Sequence, residues 1–137
     1  MVQVGEQIRG KMAFKYDRLN IISDARGGVF EPLLAEALAL QKNAHVVISG
    51  PGVVRGNHYH QKGTETVVVM GPALVRIRND SDTGDIEIPR DQAFRFVFPP
   101  GVSHAIQNLS DRPNLLVAFN TVRHDPENPD IVKDVLI

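Results

Sequence analysis

Four residues of metal-binding type are spaced so that one ion could gather them. His58 and His60 are two apart, Glu65 follows shortly after, and His104 lies in a separate segment. On a strand, side chains alternate between faces, so His58 and His60 share one. Gln61-Lys62-Gly63-Thr64 reads as a four-residue hairpin loop. Such a loop would set Glu65 directly across from His60 on the same face. Two imidazoles and a carboxylate suit one divalent ion, with Zn, Fe, Ni or Mn as candidates and Cu also in range. The turn Pro99-Pro100-Gly101 is rigid, and a strand opening at His104 would bring a fourth ligand from a distant part of the chain. Three histidines and one carboxylate leave a five- or six-coordinate ion open to water or substrate. The alternative is a polar pocket that holds no metal. His45 flanks a strand and His124 sits in a polar tail, so neither is expected at the site.

These residues need a scaffold, and the rest of the chain describes one. Short apolar runs recur at Asn20–Ile22, Gly28–Leu33, His45–Ser49, Glu65–Met70, Ala73–Arg78, Asp85–Ile88, Phe94–Phe98, His104–Gln107 and Asn114–Phe119. Gly, Pro, Asn and Asp separate them. Many short β-branched runs with turn residues between them predict an all-β sandwich or barrel. Alternation sharpens the reading. Phe94, Phe96 and Phe98 share one face, with Arg95 and Val97 opposite; Val75 and Ile77 oppose Arg76 and Arg78. Leu33 to Lys42 is rich in helix formers and predicts one short helix. Arg123 to Pro129 predicts a polar loop, and Ile131 to Ile137 a segment that docks as a strand on a partner subunit.

Composition removes several classes of function. With no cysteine, disulfide scaffolds, thiolate zinc sites and cysteine nucleophiles are excluded. Fifteen basic residues nearly balance sixteen acidic ones, so no nucleic-acid footprint is expected. No N-terminal apolar core has signal-peptide length, and no run is long enough to cross a bilayer. The expectation is a soluble, cytoplasmic protein of one domain over residues 1–137 that does not bind a membrane.

The two clusters, Gly52-x5-His58-x-His60-x4-Glu65-x5-Gly71 and Pro99-x-Gly101-x2-His104-x3-Asn108, resemble the two motifs of the cupin superfamily over residues 20 to 120. The gap from Glu65 to Gly71 is one residue short of the usual pattern, and Ala93 stands where the second motif usually opens with glycine. The resemblance implies a single-domain cupin, or jelly-roll β-barrel. Arg55-Gly56-Asn57-His58-Tyr59-His60 is similar to the Arg-Gly-x-His segment of dTDP-4-dehydrorhamnose 3,5-epimerases, in which the histidine at the place of His58 is the catalytic base. It is also similar to the Gly-Asn-His-Tyr-His of the C-terminal cupin domain of capsular polysaccharide assembling proteins. Asp24-x-Arg26-Gly27-x3-Glu31 resembles an early segment of both families, which in the rhamnose epimerases helps to bind a nucleotide diphosphate, partly across a dimer interface; Val29 stands where phenylalanine is usual. Asp125-Pro126-Glu127-Asn128-Pro129-Asp130 matches the tail of the capsular domains.

The resemblance implies an epimerase or isomerase of surface-polysaccharide biosynthesis acting on a nucleotide-linked 4-keto-6-deoxyhexose. Arg26, Glu31, Arg55 and Asn57 would contact substrate. His58 would be the base, unless it is a metal ligand, because a nitrogen bound to metal is a poor free base. The competing reading of Arg26 is a loop arginine with a surface partner. The 3,4-ketoisomerase cupins also carry Arg-Gly-x-His-x-His but typically lack the Pro-x-Gly-x2-His segment found here. Two other classes stay open: a small metal-dependent oxygenase or isomerase on a non-nucleotide substrate, and a non-catalytic cupin that binds a sugar or metabolite. The capsular relatives join this cupin to a reductase domain that these residues lack, so the chain is expected to act beside a separate enzyme. Cupins commonly form homodimers, and Met1–Arg18 and Ile131–Ile137 are the candidates for exchanged strands.

Overall fold

The computed structural model describes residues 2–4 and 14–137. Most of the predicted runs fold as strands, because β-branched and aromatic residues pack well on a pleated surface and the intervening residues turn the chain. In chain order the elements are β1 (Val2–Val4), β2 (Lys15–Arg18), β3 (Ile22–Asp24), β4 (Gly27–Val29), α1 (Ala35–Leu38), β5 (Asn43–Ser49) and β6 (Val54–His60). They continue with β7 (Glu65–Met70), β8 (Ala73–Asn79), β9 (Asp82–Ile88), β10 (Ala93–Phe98), β11 (Ser103–Asn108), β12 (Asn114–Asn120) and β13 (Ile131–Lys133). One sheet has six strands in the order β1-β2-β10-β7-β12-β5, and the other has five in the order β13-β6-β11-β8-β9. β3 and β4 form a small separate ribbon. No helix among the described residues is long and apolar enough to cross a membrane.

The two sheets pack face to face as the jelly-roll of a cupin. Val67, Val69, Phe96, Phe98, Leu116 and Ala118 from the six-stranded sheet meet Val75, Ile77, Ile88 and Ile106 from the other in one buried core. Alternation holds as expected. Phe96 and Phe98 point inward with centroids 5.7 Å apart, while Arg95 points outward and pairs with Asp17 at 2.8 Å. Val75 and Ile77 are buried, and Arg76 and Arg78 reach Asp85 and Asp134 on the outside.

Two expectations are corrected. First, β6 and β7 are not a hairpin, because they lie in different sheets. β6 pairs with β11 and β13, and β7 with β10 and β12. Gln61 to Thr64 is instead a corner that carries the chain from one sheet to the other. Its backbone amides are satisfied by Asp130 and Thr121 rather than by a facing strand: Lys62 N donates to Asp130 at 2.9 Å, Gly63 N to Asp130 at 2.8 Å, and Thr64 N to Thr121 at 3.0 Å. Second, the helix is much shorter than Leu33–Lys42. Leu34, Leu38 and Leu40 are exposed, so no packed face extends it, and propensity alone does not hold a short helix in water. Within the chain, β13 docks on β6. β1 pairs with β2 of the same chain; residues 1 and 5–13 of the Met1–Arg18 segment lie outside the described residues.

The outer face of the six-stranded sheet is apolar, and only part of it is covered. Leu19, Ile21 and Phe30 pack over Val68 and Ala93. Toward the edge strand β5, Leu115 lies opposite Ile48 and Val117 opposite Val46, and Val46, Ile48 and Leu115 are 61%, 64% and 47% exposed.

The core depends on Phe96, which is fully buried and lies 5.8 Å from the Tyr16 ring as well as beside Phe98. Phe96→Ala should cost about 3–5 kcal/mol of unfolding free energy in urea titration, as large-to-small changes in a closed core do. A loss under about 1 kcal/mol would show that this layer is not the core of the barrel.

Candidate metal centre

Two strands of one sheet and one of the other bring the site together. His58 and His60 come from the end of β6, His104 from the start of β11, and Glu65 from the first residue of β7 across the barrel. One ligand atom from each of the four lies within 4.8 Å of the others. The ring centroids of His58 stand 5.1 Å from His60 and 5.0 Å from His104.

Local sequence explains how each is held. β6 has a bulge: His104 faces His58, but Ala105 already faces Gly56, so Asn57 is the extra residue. Gly56 and Asn57 both have positive φ, 85° and 57°. A Cβ at Gly56 would lie 2.7 Å from the His104 carbonyl oxygen, which demands glycine there. The Pro-Pro-Gly turn is tied to β6 by Gly101 N, which donates to the His60 carbonyl at 2.9 Å. The His104 ring stacks on Phe98 at 4.1 Å and 5°, and its Nδ1–H donates to the Val102 carbonyl at 3.1 Å. That tautomer leaves Nε2 facing the site.

Glu65 is the hub. Its Oε2 lies 2.9 Å from His60 Nε2 and its Oε1 3.0 Å from His104 Nε2. Two nitrogens that close to a carboxylate need a proton or a cation between them, so this donor set fits a divalent ion. Burial alone would raise the Glu65 pKa, but the hydrogen bonds to His104 and His60 outweigh it and hold the carboxyl well below its ordinary value. Burial would lower His60, but its hydrogen bond and attraction to Glu65, with help from Asp130, raise it. His58 differs. Neither of its ring nitrogens has a hydrogen-bond partner among the described residues, and burial, with repulsion from His104, pushes it down to about 4.

Behind these four residues stands Asp130. Its carboxylate accepts from the Lys62 and Gly63 amides, and its Oδ2 lies 3.6 Å from His60 Nδ1. Asn120 donates to Nδ1 of His60 at 3.4 Å, and a Cβ at Gly63 would strike Asn120 at 2.3 Å. The corner is therefore packed onto the tail and the end of β12.

A cavity of about 420 Å³ opens over the cluster. His58, His60 and Glu65 line it, together with Asn43, His45, Lys62, Asn120, Arg123, His124, Asp125, Asn128 and Asp130. The four residues expected to contact substrate do not. Arg26 is 90% exposed at its side chain and paired with Asp24 at 2.5 Å, and Glu31 is exposed. Arg55 is held by Ser49 at 3.1 Å and the Ile48 carbonyl at 2.8 Å. Asn57 turns to the C-terminus, where its Oδ1 accepts from Leu136 N at 2.8 Å and Ile137 N at 3.2 Å. The bulge is the reason: the extra residue takes Asn57 out of step with His58. Conversely, His45 and His124, which were not expected at the site, both line the cavity. The Asp125–Asp130 segment was the signal for His124, because it fixes where the tail folds back.

Residues 22–132 match the family described as the polysaccharide biosynthesis C-terminal domain. The chain is 31% identical over 90 residues to the spore coat polysaccharide biosynthesis protein SpsL of Bacillus subtilis, covering 60% of each. It is 32% identical over 121 residues to a UDP-2-acetamido-2,6-beta-L-arabino-hexul-4-ose reductase of Pseudomonas aeruginosa, covering 86% of this chain but only 32% of that one. In structure it resembles the capsular polysaccharide assembling protein CapF of Staphylococcus aureus, with a TM-score of 0.63 and 27% identity over 86% of this chain and 33% of that one. The chain thus spans less than two thirds of SpsL and about one third of the other two. The fold is also that of the 3,4-ketoisomerase QdtA of Thermoanaerobacterium thermosaccharolyticum (TM-score 0.68, 15% identity, 88% and 87% covered) and of the 3'-monoepimerase ChmJ of Streptomyces bikiniensis (TM-score 0.72, 20% identity, 89% and 69% covered).

The cluster sets a pH dependence for the metal-free protein. A histidine held near 4 binds fewer protons folded than unfolded, so His58 removes stability as pH falls from its ordinary 6.5 toward 4. Glu65, with its pKa lowered, adds to the loss as pH falls below the ordinary carboxylate range. His60, with its pKa raised, stabilises below its ordinary value and loses that contribution as pH rises through its folded value. Thermal melts in chelator should show a falling midpoint between pH 6.5 and 4, and His58→Phe should flatten it. An unchanged slope in that variant would remove His58 as the cause.

Proposed function

In a chain that belongs to the family of polysaccharide biosynthesis C-terminal domains, we propose an epimerase or isomerase of nucleotide-linked 4-keto-6-deoxyhexoses, with one divalent ion held by His58, His60, Glu65 and His104. The observation that carries this reading is the convergence of four ligand atoms, three of whose residues line a cavity of about 420 Å³, a size suited to a small molecule. The relatives support it. One is named for a UDP-linked hexulose, QdtA has been solved with TDP-4-keto-6-deoxyglucose and ChmJ with dTDP-quinovose.

A 4-keto group acidifies the protons at C3 and C5. A base takes one, the electron pair moves onto the carbonyl oxygen as an enolate, and return of a proton to the opposite face inverts the centre. The bound ion would supply Lewis-acid stabilisation of that oxygen. Glu65 contributes one negative charge to the ligand set, and the histidines contribute neutral nitrogens. A nitrogen spent on metal cannot take a substrate proton. With His58 among the four converging donors, the proton carriers are the two cavity imidazoles outside the cluster, His45 and His124.

Incubation of metal-loaded protein with a UDP- or TDP-linked 4-keto-6-deoxy sugar in deuterated water should place deuterium at C3 or C5, read by mass spectrometry and NMR. His60→Ala and His104→Ala should lose metal by elemental analysis. His45→Gln with His124→Gln should keep metal and lose exchange. No exchange by the loaded wild type would sink the reading, and metal retention without affinity for any nucleotide would favour an oxygenase or isomerase of non-nucleotide substrates.

We also propose a homodimer paired through the apolar face of β5 and β12, where Val46, Ile48 and Leu115 stand exposed beside an edge strand. Light scattering should give twice 15.1 kDa. Ile48→Asp with Leu115→Asp should give one. A monomeric wild type refutes the pairing.

A further inference from the structure

We propose that Lys62 and Arg123 form the diphosphate subsite of this cavity, in place of Arg26. The inference rests on the nucleotide-sugar reading above and deepens it. If the sugar ring sits on the histidine–glutamate floor, its phosphates must leave through the rim. The arginines expected to meet them are elsewhere: Arg26 is paired with Asp24, and Arg55 is committed to Ser49 and the Ile48 carbonyl. Lys62 and Arg123 are the lysine and arginine that line the cavity. Neither side chain has a hydrogen bond or ion pair among the described residues, so both charges are free for a ligand.

The two are also held in place. Lys62 sits on the corner, where its amide donates to Asp130 at 2.9 Å. Arg123 sits on the segment after β12, and that segment is joined to the corner by Thr64 N on Thr121 at 3.0 Å and by Thr121 N on the Thr64 carbonyl at 3.2 Å. These ties hold the two backbone segments side by side, so both cations reach the rim from neighbouring points of the chain. The acids nearby are largely committed. Glu65 faces two histidines, and Asp130 accepts from two amides. Asp125 is the acid left on the rim, its Oδ1 accepting only from the Glu127 amide at 3.0 Å. An anion with several oxygens, such as a nucleoside diphosphate, suits a paired lysine and arginine, because charge-assisted hydrogen bonds are stronger than neutral ones.

Calorimetric titration of the metal-loaded protein with UDP, dTDP and uridine tests this. UDP or dTDP should bind far more tightly than uridine. Lys62→Met and Arg123→Met should each weaken diphosphate binding about tenfold, and together about a hundredfold, with unchanged metal content and melting temperature. Asp125→Asn, which still accepts from Glu127, should tighten binding by removing a like charge. A double variant that binds the diphosphate as the wild type does overturns the proposal, as does loss of binding in Arg26→Met alone. A wild type that holds metal but binds neither UDP nor dTDP brings down the nucleotide-sugar reading itself, which separates that failure from a misplaced subsite.

Discussion

The site depends on one constraint, the contact of Glu65 with His60 and His104 across the mouth of the barrel. The carboxylate belongs to the six-stranded sheet and both imidazoles to the five-stranded one. It therefore links the two layers where no backbone hydrogen bond can. A buried carboxylate is costly unless it is paired, and here both oxygens are engaged. The same arrangement that offsets that cost places three nitrogens and two oxygens around one point. The corner Gln61–Thr64 makes it possible, since it is only long enough to step from one sheet to the other.

Everything behind the corner serves that step. Asp130 holds two of its amides, Thr121 a third, and Gly63 lets Asn120 approach where a side chain would collide. The tail is thus a structural part of the site, through one aspartate that contacts both the corner and a ligand histidine. β13 adds a further strand beside β6, with Ile131 opposite His60 and Lys133 opposite His58. The C-terminal residues complete the arrangement from the outside, where Asn57 accepts the Leu136 and Ile137 amides and Ser103 and Arg78 both reach Asp134. The strand that carries two ligands is therefore anchored on its outer side as well.

The electrostatics divide the cluster. Hydrogen bonds from His104 and His60 keep Glu65 ionised, and Glu65 with Asp130 favours the protonated form of His60. His58 stands apart with free nitrogens and a pKa well below the ordinary value. A neutral imidazole aimed at a cavity is the group that meets an arriving ion or substrate with the least rearrangement. The cavity above combines this floor with a rim of exposed imidazoles, one lysine and one arginine, so cationic side chains stand near the carboxylate cluster.

Much of this was legible in the residues themselves. Period-two alternation in Phe94–Phe98 and Ala73–Arg78 assigned faces correctly, because one face of each strand is buried and the pleat allows no other pattern. His58, His60 and His104 were legible through strand spacing and the turn before His104. Glu65 was found for the wrong reason: local pairing could not reveal that a four-residue link changes sheets, since a corner and a hairpin loop share the same residue types. Asn57 was misplaced because one bulge residue breaks the alternation, and its left-handed conformation is visible only once β11 lies beside it. His45 gave no local signal at all, and His124 gave one only through the Asp125–Asp130 segment beside it. They reach the cavity because β5 pairs with β12 and because the tail folds back onto the corner, contacts between segments distant in the chain. The sequence alone determined the strands, their buried faces and the types of ligand. Tertiary structure decided which strands meet, and so which polar side chains share one cavity, because that choice is made by packing between sheets and not by any neighbour along the chain.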